Sequence, residues 1–308
     1  MLMASSIRVG TRASKMAQVQ ADEVIRKMQI AFPNVLFEKC VTKADADTHE
    51  NSLRMHGGKG GFVSRLDSGL VSREFDITVN CLKDIPNAHE RCESIVIAGV
   101  LPRDDTHDVV VTRAGVMLKD LAPNSAIGTV APRRIAQVTR NLPHLRCVHF
   151  RGSADTRITK LEAGAVDAVI LAGCGLERIG MRDKVTEELS EDLFPPAFGA
   201  GIVTIDCLAE RHDVRSLIDE ISHRDTFRCM TAERGFVDAI QGNCTTAMAG
   251  KAICNEDGRI SIKVSVYSSD GRDQLEGYDS CPAGQEAEMG ERLAASMVLK
   301  GARDIMAL

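Results

Sequence analysis

Hydrophobic and polar residues follow a strand–helix–strand rhythm along the first third of the chain. Short β-branched runs predict strands, and apolar residues at helical spacing after the first strand predict a helix that Pro33 ends. The predicted strands cover 7–12, 35–42 and 76–80, the predicted helices cover 17–32 and 63–74, and a glycine-rich loop covers 56–62. This βαβαβ order predicts a largely parallel sheet with helices on both faces.

A second rhythm of the same kind begins near residue 105. Strands are predicted at 108–112, 126–130, 145–150 and 167–172, and helices at 131–141, 155–164 and 213–222. The segment "EDLFPPAFGAGIVTIDC" (191–207) lies between the last of these strands and the last helix. We expect it to cross back and add a strand to the first sheet.

The pattern changes after about residue 224. A predicted helix (226–239) leads into the turn "AIQGNCTTAMAG", and three predicted strands follow at 247–254, 259–268 and 273–279. A final helix is predicted over 284–306. The last part of the chain therefore predicts a separate α+β module after two α/β runs.

Composition is that of a water-soluble globular protein. Of the 308 residues 44% are hydrophobic and 26% charged, and the net charge is −5, so no global basic field attracts nucleic acid. Trp is absent, which argues against an aromatic platform for bases. No signal peptide is evident at the start, and the longest apolar run, 165–176, is too short for a membrane span. We expect a cytoplasmic protein, or one of an organelle stroma if a transit peptide was removed.

Cysteines are numerous but widely separated. None of the ten lies closer than ten positions to another, which excludes a CxxC zinc or redox motif, and we expect no metal. Most occupy apolar segments and predict small buried side chains. Cys244 differs, because small and polar neighbours surround it in its turn. The pattern alone leaves the role of this thiol open.

Basic residues stand where predicted strands end and helices begin. These are Arg12, Lys59, Lys83, Arg133, Arg134, Arg151, Arg157 and Arg178. Ligands of α/β sheets bind at such junctions, and cations there oppose the helix dipole unless an anion is bound. The set predicts a site for a polyanion, with solvated surface arginines as the alternative. Asp84, beside Lys83, is either an ion-pair partner only or a general acid/base and stabiliser of a cationic intermediate.

Nine segments spread over nearly the whole chain follow one another in the order found in a known family. They are "VGTRAS", "GGKGGF", "DITVNCLKDIP", "PRDDTHD", "IGTVAPRR", "RGSADTRITKL", "AVILAGCGLERIG", "PPAFGAGIV" and "AERGFVDAIQGNC". No single segment would suffice, but through their shared order the chain resembles the porphobilinogen deaminase (hydroxymethylbilane synthase) family. The resemblance implies a transferase of tetrapyrrole and heme biosynthesis that joins four porphobilinogen units head to tail, losing ammonia each time, and then releases hydroxymethylbilane by hydrolysis.

The resemblance also assigns residues. It implies a dipyrromethane cofactor on Cys244 through a thioether bond, Asp84 as the catalytic aspartate, and Lys59 and Phe62 in a flexible loop. The basic residues implied to line the carboxylate-binding cleft are Arg12, Lys83, Arg133, Arg134, Arg151, Arg157 and Arg178. Each pyrrole bears an acetate and a propionate, so a slightly acidic protein needs such a local basic site. A monomer is expected.

Three domains are implied by the same resemblance. Two are doubly wound lobes similar to periplasmic binding proteins, domain 1 over 1–104 with 200–221 and domain 2 over 105–199. Domain 3, over 222–308, is α+β and carries the cysteine turn. The resemblance also implies porphobilinogen as the substrate, and we expect binding to neither nucleic acid nor a membrane.

Several neutral residues depart from the family pattern around the expected site. The departures are Met55, Asn80, Cys81, Val130, Ala131, Ser153, Ala200, Asn243 and Ala247. Two alternatives therefore stay open beside the deaminase. One is a specialised paralogue that makes a different oligopyrrole, and the other is a non-catalytic protein that binds a pyrrole or another polycarboxylate.

Overall fold

The computed structural model describes residues 6–42, 60–242 and 245–307, with the side chains of 60–62 outside the description. The chain divides into two compact units, one of Met1–Asp104 with Gly201–Thr231 and one of Asp105–Ala200 with Ala232–Leu308. Each unit is built around its own β-sheet structure, and the division into three domains stays a prediction.

Strands and helices of the described residues are numbered in chain order. The strands are β1 (Ser6–Arg12), β2 (Leu36–Thr42), β3 (Ile77–Cys81), β4 (Ile95–Val100), β5 (Asp108–Thr112), β6 (Ala126–Gly128), β7 (Arg146–Val148), β8 (Ala168–Ala172), β9 (Glu187–Glu188), β10 (Val203–Leu208), β11 (Met248–Cys254), β12 (Ile260–Tyr267) and β13 (Gln274–Cys281). The helices are α1 (Lys15–Ala31), α2 (Gly60–Val71), α3 (Pro132–Asn141), α4 (Ala154–Glu162), α5 (Gly173–Arg178), α6 (His212–Asp219), α7 (Arg224–Ile240), α8 (Glu286–Leu299) and α9 (Ala302–Ala307).

The sheet of the first unit has the strand order β2-β1-β3-β10-β4. β1 pairs in parallel with both β2 and β3, whereas β10 runs antiparallel to β3 and β4. The crossing segment thus returns to the first sheet as predicted, and it supplies the antiparallel strand. Since β4 opposes β10, it runs in the same direction as β3, which keeps the sheet largely parallel.

Helix α1 shows how the sequence builds this unit. The Ser14 hydroxyl accepts a hydrogen bond from the Ala17 amide at 3.3 Å and caps the helix start. Its buried face, which includes Val24 and Met28, packs on Ile7 and Ile77 of the sheet. Removing these side chains from water is the main favourable contribution to the packing.

The second unit repeats this strand order. Its five-stranded sheet reads β7-β6-β8-β5-β9, with β6 parallel to β7 and β8, and β5 antiparallel to β8 and β9. In each sheet three strands that are consecutive in the chain run parallel, and the first of these, β1 or β6, lies between the other two. An antiparallel strand, β10 or β5, lies beside the third of them. The two similar strand–helix rhythms of the sequence thus fold into the same sheet topology.

A three-stranded antiparallel sheet, β11-β12-β13, forms the C-terminal part of the second unit. The turn at Gly271 packs directly against the backbone of Ala136 in α3, where any Cβ would clash, and its φ of +72° also favours glycine. Helices α7 and α8 approach closely because Gly235 and Gly290 leave no side chain between the two backbones.

The α/β fold class, with two sheet-rich lobes and a C-terminal sheet, is confirmed.

Some boundaries differ from the predicted ones. Helix α2 begins at Gly60, within the expected loop, and the predicted final helix is two helices separated at Gly301, whose φ is +91°. Strands β4 and β9 and helix α5 were not predicted, because short elements carry too few residues for a periodic signal.

Candidate active site

Two parallel strand ends bring Arg12 and Asp84 together in the first unit. Arg12 is the last residue of β1, and Asp84 ends a short 3-10 helix, Leu82–Asp84, directly after β3. Because β1 and β3 are neighbours with Val9 opposite Ile77, their carboxyl ends meet at one edge of the sheet. The Nη1 atom of Arg12 lies 3.9 Å from Oδ2 of Asp84, and the side chains are 15% and 30% exposed.

The turn that bears Asp84 is held by its backbone. Leu82 is buried, its amide donates to the Ile202 carbonyl at 3.0 Å, and the Ile85 amide donates back to the Leu82 carbonyl at 3.0 Å. Lys83 is exposed at the same turn. The buried leucine therefore anchors the turn and leaves an amine and a carboxylate accessible side by side.

A second charged cluster lies in the second unit around Asp108, the first residue of β5. This carboxylate is buried and accepts from Nη2 of Arg133 at 2.7 Å and from Nη2 and Nε of Arg134 at 2.7 and 2.9 Å. Burial alone would raise the pKa of Asp108, but the two guanidiniums outweigh it and hold that pKa well below its usual range. Asp108 thus fixes both arginines at the start of α3.

Other protein groups accept hydrogen bonds from one further nitrogen of each arginine. Nη1 of Arg133 donates to the side chain of Gln137 at 3.0 Å and to the Pro195 carbonyl at 2.9 Å. Nη1 of Arg134 donates to the Ile170 carbonyl at 2.9 Å. The sequence predicted both arginines as ligand-binding residues, whereas the structure shows them organised first by Asp108. Their direct contact with a ligand stays a prediction.

Arg157, on the first turns of α4, is in a different situation. Its Nε atom is buried and finds no hydrogen-bond partner among the residues that the structure describes. Burial and the nearby charge of Arg134 lower the pKa of Arg157 to about 10, with Asp108 opposing them. A partly buried cation with an unsatisfied donor is suited to bind an anion, and a carboxylate would satisfy it.

The structure describes only some of the remaining predicted site residues. Arg151, after β7, and Arg178, at the end of α5, are both partly buried in the second unit, and their role in binding stays a prediction. Lys59 and Cys244 lie outside the described residues, as does the side chain of Phe62.

The sequence analysis did not single out Asp108 as a site residue. The signal was present, because an acid directly precedes three valines in the strand "DVVVT", whose residues are all buried. A carboxylate at such a position requires a positive partner. Naming Arg133 and Arg134 as that partner required the tertiary structure, since they lie on another element.

Two family models match the chain. The porphobilinogen deaminase dipyrromethane cofactor-binding domain matches residues 7–216, and the porphobilinogen deaminase C-terminal domain matches residues 227–298. The chain belongs to the porphobilinogen deaminase family. The first of these family domains covers both charged clusters, and the cofactor that it binds is dipyrromethane.

Curated relatives agree with this assignment. Porphobilinogen deaminase 2 of Streptomyces coelicolor is 36% identical over 303 residues, which cover 97% of this chain and 96% of the relative. Porphobilinogen deaminase of Bacillus subtilis is 34% identical over 307 residues, covering 99% and 96%. Among solved structures, the methionine-binding protein MetQ aligns with 72% of this chain and 92% of its own at 9% identity, with a TM-score of 0.45.

Two further properties concern the described part of this porphobilinogen deaminase family member. None of its helices there has both the length and the apolar content that a bilayer crossing requires. The same residues contain no group of three or more His, Cys, Asp or Glu side chains arranged to hold a metal ion.

Proposed function

We propose that the protein is a hydroxymethylbilane synthase, a transferase that condenses four porphobilinogen units head to tail and releases linear hydroxymethylbilane. The observation that carries this proposal is the Arg12–Asp84 pair at the carboxyl edge of the first sheet, within the region matched by the cofactor-binding family domain. A separation of 3.9 Å is too long for a hydrogen bond, so Asp84 keeps acceptor capacity for a substrate.

Asp84 is the group best placed to assist the chemistry. Each condensation breaks the aminomethyl C–N bond of porphobilinogen, releases ammonia, forms a C–C bond to the next pyrrole and releases a ring proton. Positive charge develops at the carbon that ammonia leaves. A fixed carboxylate stabilises such charge and accepts hydrogen bonds from pyrrole N–H groups. Arg12 orients the carboxylate and binds substrate carboxylates.

The cofactor fits the residues of the second unit. Arg157 has a lowered pKa and a buried donor with no partner among the described residues, which are the properties expected of a residue that binds a carboxylate. We propose that Arg157, supported by Arg134, Arg133, Arg151 and Arg178, binds carboxylates of the dipyrromethane and of the growing chain. We further propose that the cofactor is attached at Cys244. When bound, it supplies the primer on which the polymer is built.

Intact-mass measurement of the purified protein tests the proposal. We expect an excess equal to one dipyrromethane, and, with porphobilinogen, further additions followed by release of hydroxymethylbilane and four ammonia per product. An unmodified mass that stays unchanged with porphobilinogen contradicts the enzyme proposal. Fewer ammonia per product indicates a shorter oligopyrrole, and tight binding without ammonia release indicates a binding protein.

A further inference from the structure

One buried carboxylate contacts the chain on both sides of Asp84. Asp206, on β10, has no exposed surface. Its Oδ2 atom accepts a hydrogen bond from Nδ2 of Asn80 at 3.0 Å and another from Nη2 of Arg91 at 2.9 Å. Asn80 precedes Asp84 in sequence and Arg91 follows it. A single oxygen atom therefore ties together the two ends of the segment that carries the Asp84 turn.

Both ends of this segment are themselves well fixed. Asn80 lies within β3 and is buried. Arg91 also forms a two-point bridge to Asp67 of α2, Nε to Oδ2 at 2.9 Å and Nη2 to Oδ1 at 2.7 Å, and its side chain is 6% exposed. Just before Arg91, a capping box between Asn87 and Glu90 closes a short 3-10 helix. The two hydrogen bonds to Asp206 therefore restrain a segment whose ends are already fixed by other contacts.

Local strand geometry directs Asp206 to this place. The register of β10 against β4 shifts between Ile205 and Asp206, an irregularity that re-aims side chains in a sheet. The Oδ1 atom of Asp206 is buried and finds no hydrogen-bond partner within the described ranges, so the contacts of this carboxylate converge on Oδ2.

The effect of this ion pair on stability differs between its two partners. Burial raises the pKa of Asp206 despite the opposing effect of Arg91, whereas the charge of Asp206 raises the pKa of Arg91. Buried ion pairs are commonly no more stabilising than apolar residues of similar size. They do impose one geometry, because each partner loses its hydrogen bonds if it moves.

We propose that Asp206 is a positioning residue that holds Asp84 in its working place through Asn80 and Arg91. This proposal rests on the proposed function, in which Asp84 assists the condensation. Asp206 itself touches no reacting atom. Its contribution is to keep the Leu82–Asp84 turn from shifting, and a displacement of about 1 Å at a reacting centre can reduce a rate about a hundredfold.

The first unit contains a matched control at the opposite end of β3. Asp76, directly before β3, is buried and bound by two arginines, Arg8 at 3.0 Å and Arg211 at 2.8 Å. Burial opposes these bonds, but they outweigh it and lower the pKa of Asp76, so its charge stabilises the fold. Asp76 and Asp206 are thus both arginine-bound acids of one sheet, and only Asp206 contacts the residues that flank Asp84.

The test compares Asp206→Asn with Asp76→Asn at a temperature where both are folded. We expect Asp206→Asn to lower turnover about tenfold with little change in KM. We expect Asp76→Asn to lower the unfolding midpoint and leave turnover near wild type. Hydrogen exchange read by mass spectrometry should show faster exchange over residues 80–91 in Asp206→Asn, and no such change there in Asp76→Asn.

A double-mutant cycle shows whether Asp206 acts through Asp84. In an Asp84→Asn background, followed by single-turnover ammonia release over long incubations, Asp206→Asn should reduce the rate less than about twofold, because coupled residues are non-additive. An undiminished loss in that background overturns the proposal, and so does wild-type turnover of Asp206→Asn. If Asp206→Asn does not fold, Arg91→Lys replaces it, since it keeps the charge but not the two-point bridge.

The exchange measurement separates this proposal from the proposed function. A wild-type protein without activity on porphobilinogen contradicts the function, yet exchange over 80–91 still reports whether Asp206 holds the turn. Unchanged exchange in an active protein contradicts the positioning role alone.

Discussion

The Nη1 atom of Arg12 lies 3.9 Å from Oδ2 of Asp84, with Arg12 at the end of β1 and Asp84 just after the neighbouring parallel strand β3. The pair interacts through charge rather than a short hydrogen bond, and each side chain keeps some exposure. An ion pair whose only purpose was stability would be expected to close to hydrogen-bond distance, as Arg134 does with Asp108 at 2.7 Å. The open geometry suits a carboxylate that must also contact a substrate.

Replacing Asp84 tests its catalytic role. Asp84→Asn keeps the shape but removes the charge, so we expect the cofactor to stay attached and turnover to fall by about a hundredfold or more, in the range usual for loss of an acid–base or electrostatic group. Intact mass and ammonia release measure the two effects. Near-normal turnover would remove Asp84 from this role.

A control for that variant exists within the chain. The tripeptide Leu118–Asp120 has the same sequence as Leu82–Asp84 and also forms a 3-10 helix, with Asp120 exposed. Asp120→Asn therefore makes the same substitution in the same local structure, but away from Arg12 at the end of β1. We expect wild-type turnover from it.

Arg157 is expected to contribute binding. Loss of a hydrogen bond to a charged group costs about 1.5–3 kcal/mol, so Arg157→Gln should raise KM for porphobilinogen or weaken retention of the cofactor by about tenfold or more. Steady-state kinetics and the cofactor-bearing fraction by intact mass measure this. Arg146→Gln, at an exposed position of the same unit, serves as the control. Equal kinetics for both variants would show that Arg157 binds no carboxylate.

Asp108 links stability to pH. Its pKa is depressed in the folded state, so its contribution is fully present above the unfolded pKa of about 3.9 and is lost as pH falls toward the folded value. We expect the free energy of unfolding of the wild type to fall below about pH 4 more steeply than that of Asp108→Asn.

The same substitution should destabilise the protein at neutral pH. Asp108→Asn leaves two guanidiniums near a buried position without their counter-charge, and breaking such a pair costs about 3–5 kcal/mol. Urea unfolding at several pH values measures both effects, with Asp120→Asn as the exposed control. Parallel pH profiles for wild type and Asp108→Asn would contradict the assigned pKa shift.

Cys244 is tested by a single-atom change. Cys244→Ser removes the sulfur needed for a thioether, so we expect the purified protein to have its unmodified mass and no turnover. Cys254→Ser makes the same change on β11 and leaves Cys244 in place, so it should retain the cofactor. A covalent pyrrole on Cys244→Ser would place the attachment elsewhere.

Sequence alone determined the order and type of most elements. A linear pattern displays local preferences and apolar faces. Examples are the alternation in "IRVGTR", the helical spacing that ends at Pro33, and the crossing segment that leads into β10. It also placed basic residues at strand ends, because that position follows from chain order once the strands are known. The charges of the site could therefore be named before their geometry.

Only the tertiary structure decided what those charges contact. In the structure Arg133 and Arg134 donate hydrogen bonds to Asp108, and Asn80 and Arg91 both donate to Asp206. The Nε atom of Arg157 has no partner among the described residues. These partners come from different elements, and their distances depend on strand order and on a local shift of register. Such pairings are set by packing over the whole sheet, which residue periodicity does not encode.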